Sequence, residues 1–239
     1  MEEKNRQNPF WNAKLPIEER LDWLLANMTL EEKITCMAST MPELPRFGID
    51  MSYVGGEAAH GVEARNDQNG RNIPEPTTSF PQPIGMSASW DTELIKKAGE
   101  VTGTEARVLW HRHPAGGLSR WAPTVDLERD PRWGRTEECF GEDPYLCSVF
   151  ARSAVEATQS EGVAMVAKHF CAQGETTGGI NASAARIGER ELREIHLPSA
   201  KACCKAGVNG IMAAYNEIDG VYCHMNHKLL TQILRDEFG

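Results

Sequence analysis

Four stretches of the sequence concentrate side chains suited to gripping a polar ligand, and each follows a short apolar run. GGEAAHGVEAR carries Glu57 and His60, and DLERDPRWGRTEECFGEDP carries Asp126, Arg129, Asp130, Arg132 and Arg135. Lys168 and His169 stand together before a GETTGG loop, and Tyr215, Asn216 and Glu217 follow a later run. Carboxylates, guanidinium and ammonium groups, an imidazole and a phenol together make a lining with both donors and acceptors. A neutral polyhydroxylated ligand calls for that mixture, because each hydroxyl both donates and accepts and charged groups grip hydroxyls in charge-assisted bonds. A phosphate ligand calls instead for a glycine-rich turn opening a helix, and GETTGG has neither GxGxxG nor GxxxxGK[ST] spacing.

Each of these residues also has a plain structural explanation. Lys168 after an apolar run is compatible with a side chain that snorkels to the surface. His169 fits a satisfied core histidine, and the arginines of RDPRWGR fit ion pairs with Asp126, Asp130, Glu137 and Glu142. Tyr215 fits a core ring with a tethered hydroxyl. Their recurrence after successive apolar runs is what these separate explanations leave unaccounted for.

The elements that must position them alternate in kind. Apolar runs of strand character occupy Ser52–Val54, Pro83–Ser87, Trp121–Val125, Val163–Ala167 and Val208–Ala214. Helical spacing predicts helices over Thr92–Leu109, Pro144–Gln159, Glu189–Lys205 and Lys228–Phe238 between and after them. Upstream, Ile17, Leu21, Leu24, Leu25 and Met28 recur at helical spacing, and Thr29 with Glu32 predicts a capping box opening a second helix. Strand and helix in alternation is the pattern of an α/β protein with parallel strands. Residues 1–239 read as one domain, an incomplete (β/α)8 TIM-like barrel with about five strand units where closure needs eight. In such folds the loops at the strands' carboxyl ends converge on one mouth, where the polar stretches sit.

Composition narrows the function classes. With 34 acidic against 25 basic residues and a net charge of −9, the chain lacks the clustered cations of a nucleic-acid binder. No apolar run approaches the ~20 residues of a membrane-spanning helix. The polar, acidic start lacks the basic tip and apolar stretch of a secretory leader, and seven cysteines without a CxxC pair read as buried thiols of a reducing cytosol. A cytoplasmic location is therefore expected. His111 with His113, and His224 with His227, lack a Cys or carboxylate partner at a recognised ligand spacing, so no metal site is expected.

Several blocks together resemble the N-terminal catalytic domain of glycoside hydrolase family 3, the β-glucosidase and β-xylosidase group. They are MTLEEK, EAAHGV, WAPTVDLERDPRWGRTEECFGEDP, AMVAKHF, GERELREIHLP and MAAYNEIDG with MNHKLLTQILRDEFG, in the family's order over most of residues 28–239. The resemblance implies exo-acting, retaining hydrolysis of a terminal β-glucosyl or β-xylosyl residue by two carboxylates about 5–5.5 Å apart, without a cofactor. By motif, Glu57 matches the residue that grips outer hydroxyls of the terminal sugar. Arg135, Lys168 and His169 match donors around it, and Tyr215 matches the aromatic beside the nucleophile. Ile180 stands where many relatives carry Arg. The family's nucleophile, an Asp in a Ser-Asp step, falls on the strand after LRDEFG, and the acid/base lies further on, in or near a second α/β domain. On this resemblance the chain holds no catalytic carboxylate, the rest of the barrel and the second domain belong to a longer protein, and the chain alone is expected to be inactive. Two alternatives remain: a non-catalytic sugar-binding protein ending at Gly239, and a barrel enzyme for phosphorylated substrates.

Overall fold

A computed structural model describes residues 6–38, 40–63 and 75–239. Ala64 and Arg65 of the GGEAAHGVEAR stretch lie outside the described residues, as do the first five of the polar start.

The N-terminal helices form where their spacing places them. Helix α1 (Ile17–Asn27) ends before Thr29, which caps α2 (Leu30–Thr35). Thr29 Oγ1 accepts the Glu32 N–H at 3.2 Å while Glu32 Oε2 accepts the Thr29 N–H at 2.8 Å, so two otherwise unpaired donors are satisfied reciprocally. Leu24 and Met28 pack with Leu44, Phe47 and Ile49 in a small core of their own. Strand β1 (Thr40–Met41) pairs antiparallel with β2 (Ser52–Tyr53), so the first predicted strand closes a local ribbon.

Parallel pairing begins just beyond it. Glu57 makes a parallel bridge with Trp121, next to β3 (Ser119–Arg120), which neighbours β4 (Ala164–Phe170) and then β5 (Gly210–Ala213) in one parallel sheet. The Pro83–Ser87 run, predicted as a strand, is the short helix α3. A run of five residues is too short for a period that separates strand from helix, and Pro83 at the first helical position brings a preset φ and lacks only an N–H that would be unpaired there.

Long helices return the chain between strands. Asp91 caps α4 (Thr92–Arg112), its Oδ1 accepting the N–H groups of Glu93 and Leu94, and Asp143 caps α5 (Pro144–Ser160) in the same way. The two helices meet at Gly99 and Gly103. A Cβ at Gly99 would lie 2.9 Å from Ala157 Cβ, and one at Gly103 2.7 Å from Glu161 Cβ, so only glycine allows this approach. The predicted helix Glu189–Lys205 is divided into α6 (Glu189–Glu191), a π-helical turn Leu192–His196 and α7 (Pro198–Lys205). Pro198 has no N–H to continue the ladder across that point. The last helix, Lys228–Glu237, is also π-helical and buries Leu229 and Ile233.

Between β5 and that helix, β6 (Glu217–Ile218) and β7 (Val221–Tyr222) form a hairpin turning on Asp219 and Gly220, both at positive φ, the backbone a two-residue Asp-Gly turn requires. The principal core gathers Val125, Leu127, Phe140, Phe150, Ala167 and Phe170 with Leu192, Leu197, Leu229 and Ile233, sealing the helices onto one side of the sheet. The parallel strands with helical returns are the repeating unit of a (β/α) barrel. Among the described residues no helix is long and apolar enough to cross a membrane.

Candidate active site

The carboxyl end of β4 is the centre of the site. Residues of a strand alternate between faces, but the ladder between β4 and β5 shifts register between Lys168 and Phe170, an irregularity of the kind that re-aims side chains. Lys168 and His169 are both buried and both joined to the loop after β3. Lys168 Nζ donates to Glu57 Oε2 at 2.6 Å and lies 3.6 Å from Glu138 Oε2. Arg135 engages Glu138 with two bonds, Nε to Oε1 at 2.7 Å and Nη2 to Oε2 at 2.9 Å. The same Nη2 lies 3.5 Å from His169 Nε2. On the imidazole's far side, Asp126 Oδ2 sits 2.7 Å from Nδ1 and also accepts the His169 N–H, while Oδ1 accepts the Gln173 N–H at 3.0 Å. A fully buried carboxylate against Nδ1 assigns the proton to that nitrogen and leaves Nε2 facing Arg135.

The result is a chain of groups: Glu57, Lys168, Glu138, Arg135, His169, Asp126. Carboxylates alternate with cations as far as Arg135, whose Nη2 then meets the His169 imidazole, which Asp126 holds from the other side. Burial by itself favours the neutral form of Glu138, but the Arg135 bonds and the charges of Lys168 and Arg135 outweigh it and hold its pKa below the usual carboxylate range. Glu138 in turn raises the pKa of Arg135 by accepting its bonds. The guanidinium also lies over the Trp133 ring, 5.9 Å from its centroid, and the buried Trp133 anchors the loop through Nε1 to Asn181.

Four of these residues open onto a cavity of about 510 Å³. Glu57, Lys168, Arg135 and Glu138 are among its lining residues, with His60, Glu63, Ser79 and Gln82. Of the five residues singled out from the sequence, Glu57, Arg135 and Lys168 line that cavity. His169 and Tyr215 do not; their rings meet at a tilt of 39° with centroids 5.9 Å apart, and they join the network through the His169 contact with Arg135. Tyr215 is 53% exposed, so it is not a core ring.

Other candidates take structural duties. Arg132 pairs with Asp130, and Arg129 lies 3.7 Å from Glu175. Asn216 is buried and bonded to the Cys171 carbonyl, Glu217 begins β6, and Ile180 is 67% exposed. Two central groups, Asp126 and Glu138, stand outside the five site residues to which the sequence points. Asp126 is marked in the sequence by directly following the apolar Trp121–Val125 run. Glu138 is marked only by its three-residue spacing from Arg135.

The chain is similar to known proteins over most of its length. The family model for the glycosyl hydrolase family 3 N-terminal domain matches residues 58–239. A β-xylosidase of Formosa agariphila is 39% identical over 95% of the chain, and a β-glucosidase of Rhizobium radiobacter is 34% identical over 92%. The chain spans 31% and 26% of the lengths of those two proteins. Among solved structures, an exo-β-xylosidase bound to a xylobiose aziridine probe superposes with a TM-score of 0.86 at 28% identity, covering 97% of the chain and 31% of that protein. β-Glucosidase 3B of Thermotoga neapolitana, in complex with glucose, gives 0.78 at 29% identity, over 92% of the chain and 32% of its own. The parallel strands and their helical returns are accordingly part of a (β/α)8 barrel, and the chain belongs to glycosyl hydrolase family 3.

Proposed function

We propose that this chain is the sugar-binding part of an exo-acting, retaining β-glycosidase that releases a terminal β-D-xylosyl or β-D-glucosyl residue. The observation that carries the reading is the convergence of Glu57, Arg135 and Lys168 on one cavity, with His169 and Tyr215 joined to them. Arg135 and Lys168 supply donors for ring hydroxyls, Glu57 accepts, His169 orders the Arg135 side, and the Tyr215 ring offers an apolar face beside the pocket.

These groups bind and orient rather than attack. A general acid must hold its proton near neutral pH, whereas Glu138 has its pKa lowered; a nucleophile must face the anomeric carbon, whereas Glu57 and Glu138 are turned onto cations. Both reacting carboxylates are therefore assigned to sequence beyond these 239 residues, within a longer protein that includes the remaining strands and a second α/β domain. The seven thiols support a reducing, cytoplasmic setting.

Xyloside is the preferred substrate class. It is supported by the higher identity to the β-xylosidase, 39% against 34% for the β-glucosidase, and by the length of Glu57, whose extra methylene over an Asp in its place leaves less room for a hexose C6 group; such discrimination amounts to about 1–3 kcal/mol. Isothermal titration of the purified chain with D-xylose and D-glucose tests the reading: both bind, xylose more tightly, and an aryl β-xyloside is not turned over. Absence of sugar binding, or measurable turnover by the purified chain, overturns it.

A further inference from the structure

Arg135 and Lys168 reach the pocket from different elements, one from the loop after β3 and the other from the end of β4. Both are cations, both are mostly buried, and placed side by side they repel unless a negative charge stands between them. Glu138 is that charge. Its two oxygens take the guanidinium fork at 2.7 and 2.9 Å, and Oε2 also lies 3.6 Å from Lys168 Nζ and 3.4 Å from Thr124 Oγ1. Two parallel bonds to a planar fork fix its orientation as well as its distance, which a single bond does not. The Arg135 Nη2 held in this way is also the atom beside His169 Nε2. One carboxylate thus fixes Arg135, lies close to Lys168, and bears on His169 through Arg135.

We propose that Glu138 is a positioning residue for sugar recognition, holding Arg135 and Lys168 in the arrangement that grips the terminal sugar without itself touching the reacting atoms. The inference rests on the sugar-binding reading above and adds to it a cavity-lining carboxylate whose oxygens are turned onto the groups that grip the sugar. Gln at this position has nearly the same shape but a single acceptor oxygen. Its amide N–H₂ meets either the guanidinium or the ammonium donor to donor, so the two-bond fork cannot form.

The test compares Glu138→Gln, the charge-keeping Glu138→Asp and the unchanged chain in two measurements. Hydrogen exchange of the Arg135 Nε–H, followed by NMR without sugar, reads the fork directly. Titration with D-xylose reads its consequence. In Glu138→Gln the Nε–H exchanges at least about 10-fold faster and xylose affinity falls by about 10-fold or more, the scale on which small displacements of binding groups act. Glu138→Asp recovers part of both, and the backbone spectrum outside the loop is unchanged in each variant. Unaltered Nε–H exchange in Glu138→Gln overturns the proposal, and so does unaltered xylose affinity. If the unchanged chain binds no sugar, the sugar-binding reading fails on that result, while the exchange measurement still decides whether Glu138 sets Arg135.

Discussion

Replacing Lys168 with Met removes one charge from the centre of the site while keeping the unbranched stem, so little cavity is created. The Lys168 side chain is 3% exposed, and its ammonium donates to Glu57 at 2.6 Å with Glu138 at 3.6 Å. A hydrogen bond to a charged group contributes about 1.5–3 kcal/mol, and removing one partner of a fully buried pair costs about 3–5 kcal/mol. The fully buried figure is too large here. Glu57 is 36% exposed and can rehydrate, and Glu138 keeps both bonds to Arg135. We therefore expect Lys168→Met to lower unfolding free energy by about 2 kcal/mol, read as the shift of the urea midpoint at pH 7. The pH dependence adds a second signature. Glu138 has its pKa lowered in the folded chain, so its stabilisation is present above the unfolded carboxylate value near 4.5 and is lost as pH falls through the folded value. Without the Lys168 charge this lowering shrinks, and the acid limb of the stability profile becomes shallower. Lys96→Met, at an exposed helix pair, is the control and leaves the midpoint unchanged. A Lys168→Met variant as stable as the unchanged chain refutes the reasoning, because desolvation of the ammonium would then cancel its bonds.

Gly103→Ala should destabilise the chain by about 1 kcal/mol in the same assay although Ala favours helix by about 1 kcal/mol, because crowding at a packed contact costs about 1–3 kcal/mol and the new Cβ falls 2.7 Å from Glu161 Cβ. A stabilised variant would show that α4 and α5 can separate without loss. Burial, aided by the charge of Arg129, lowers the His196 pKa from 6.5 to about 4. Below pH 6.5 the unfolded chain takes up a proton that the folded chain refuses, so stability is full above 6.5 and falls towards pH 4, by about 2 kcal/mol at pH 5. Urea unfolding at pH 7.5 and pH 5 should show this loss, diminished in His196→Phe; equal slopes in the two proteins would refute it.

The local punctuation of the chain was legible without tertiary structure because short-range bonding sets it. The Thr29–Glu32 capping box, the 21-residue α4 and α5 behind Pro144 all follow from residues within a few positions of one another. Short apolar runs lack that information: Pro83–Ser87 is a helix, and Ser52–Tyr53 pairs with an antiparallel neighbour ahead of the parallel sheet. The positions of Glu57, Arg135, Lys168, His169 and Tyr215 were legible as residue types at the ends of apolar runs. Whether they meet was not, since the Lys168–Glu57 bond joins residues 111 positions apart and depends on strands neighbouring in the sheet. Glu138 is the clearest case of what only the tertiary structure decides. In the sequence it is the second of two adjacent glutamates after an arginine, indistinguishable from a solvated pair. Folding partly buries it between two cations from separate elements, because the desolvation of those charges is tolerable only with a carboxylate between them.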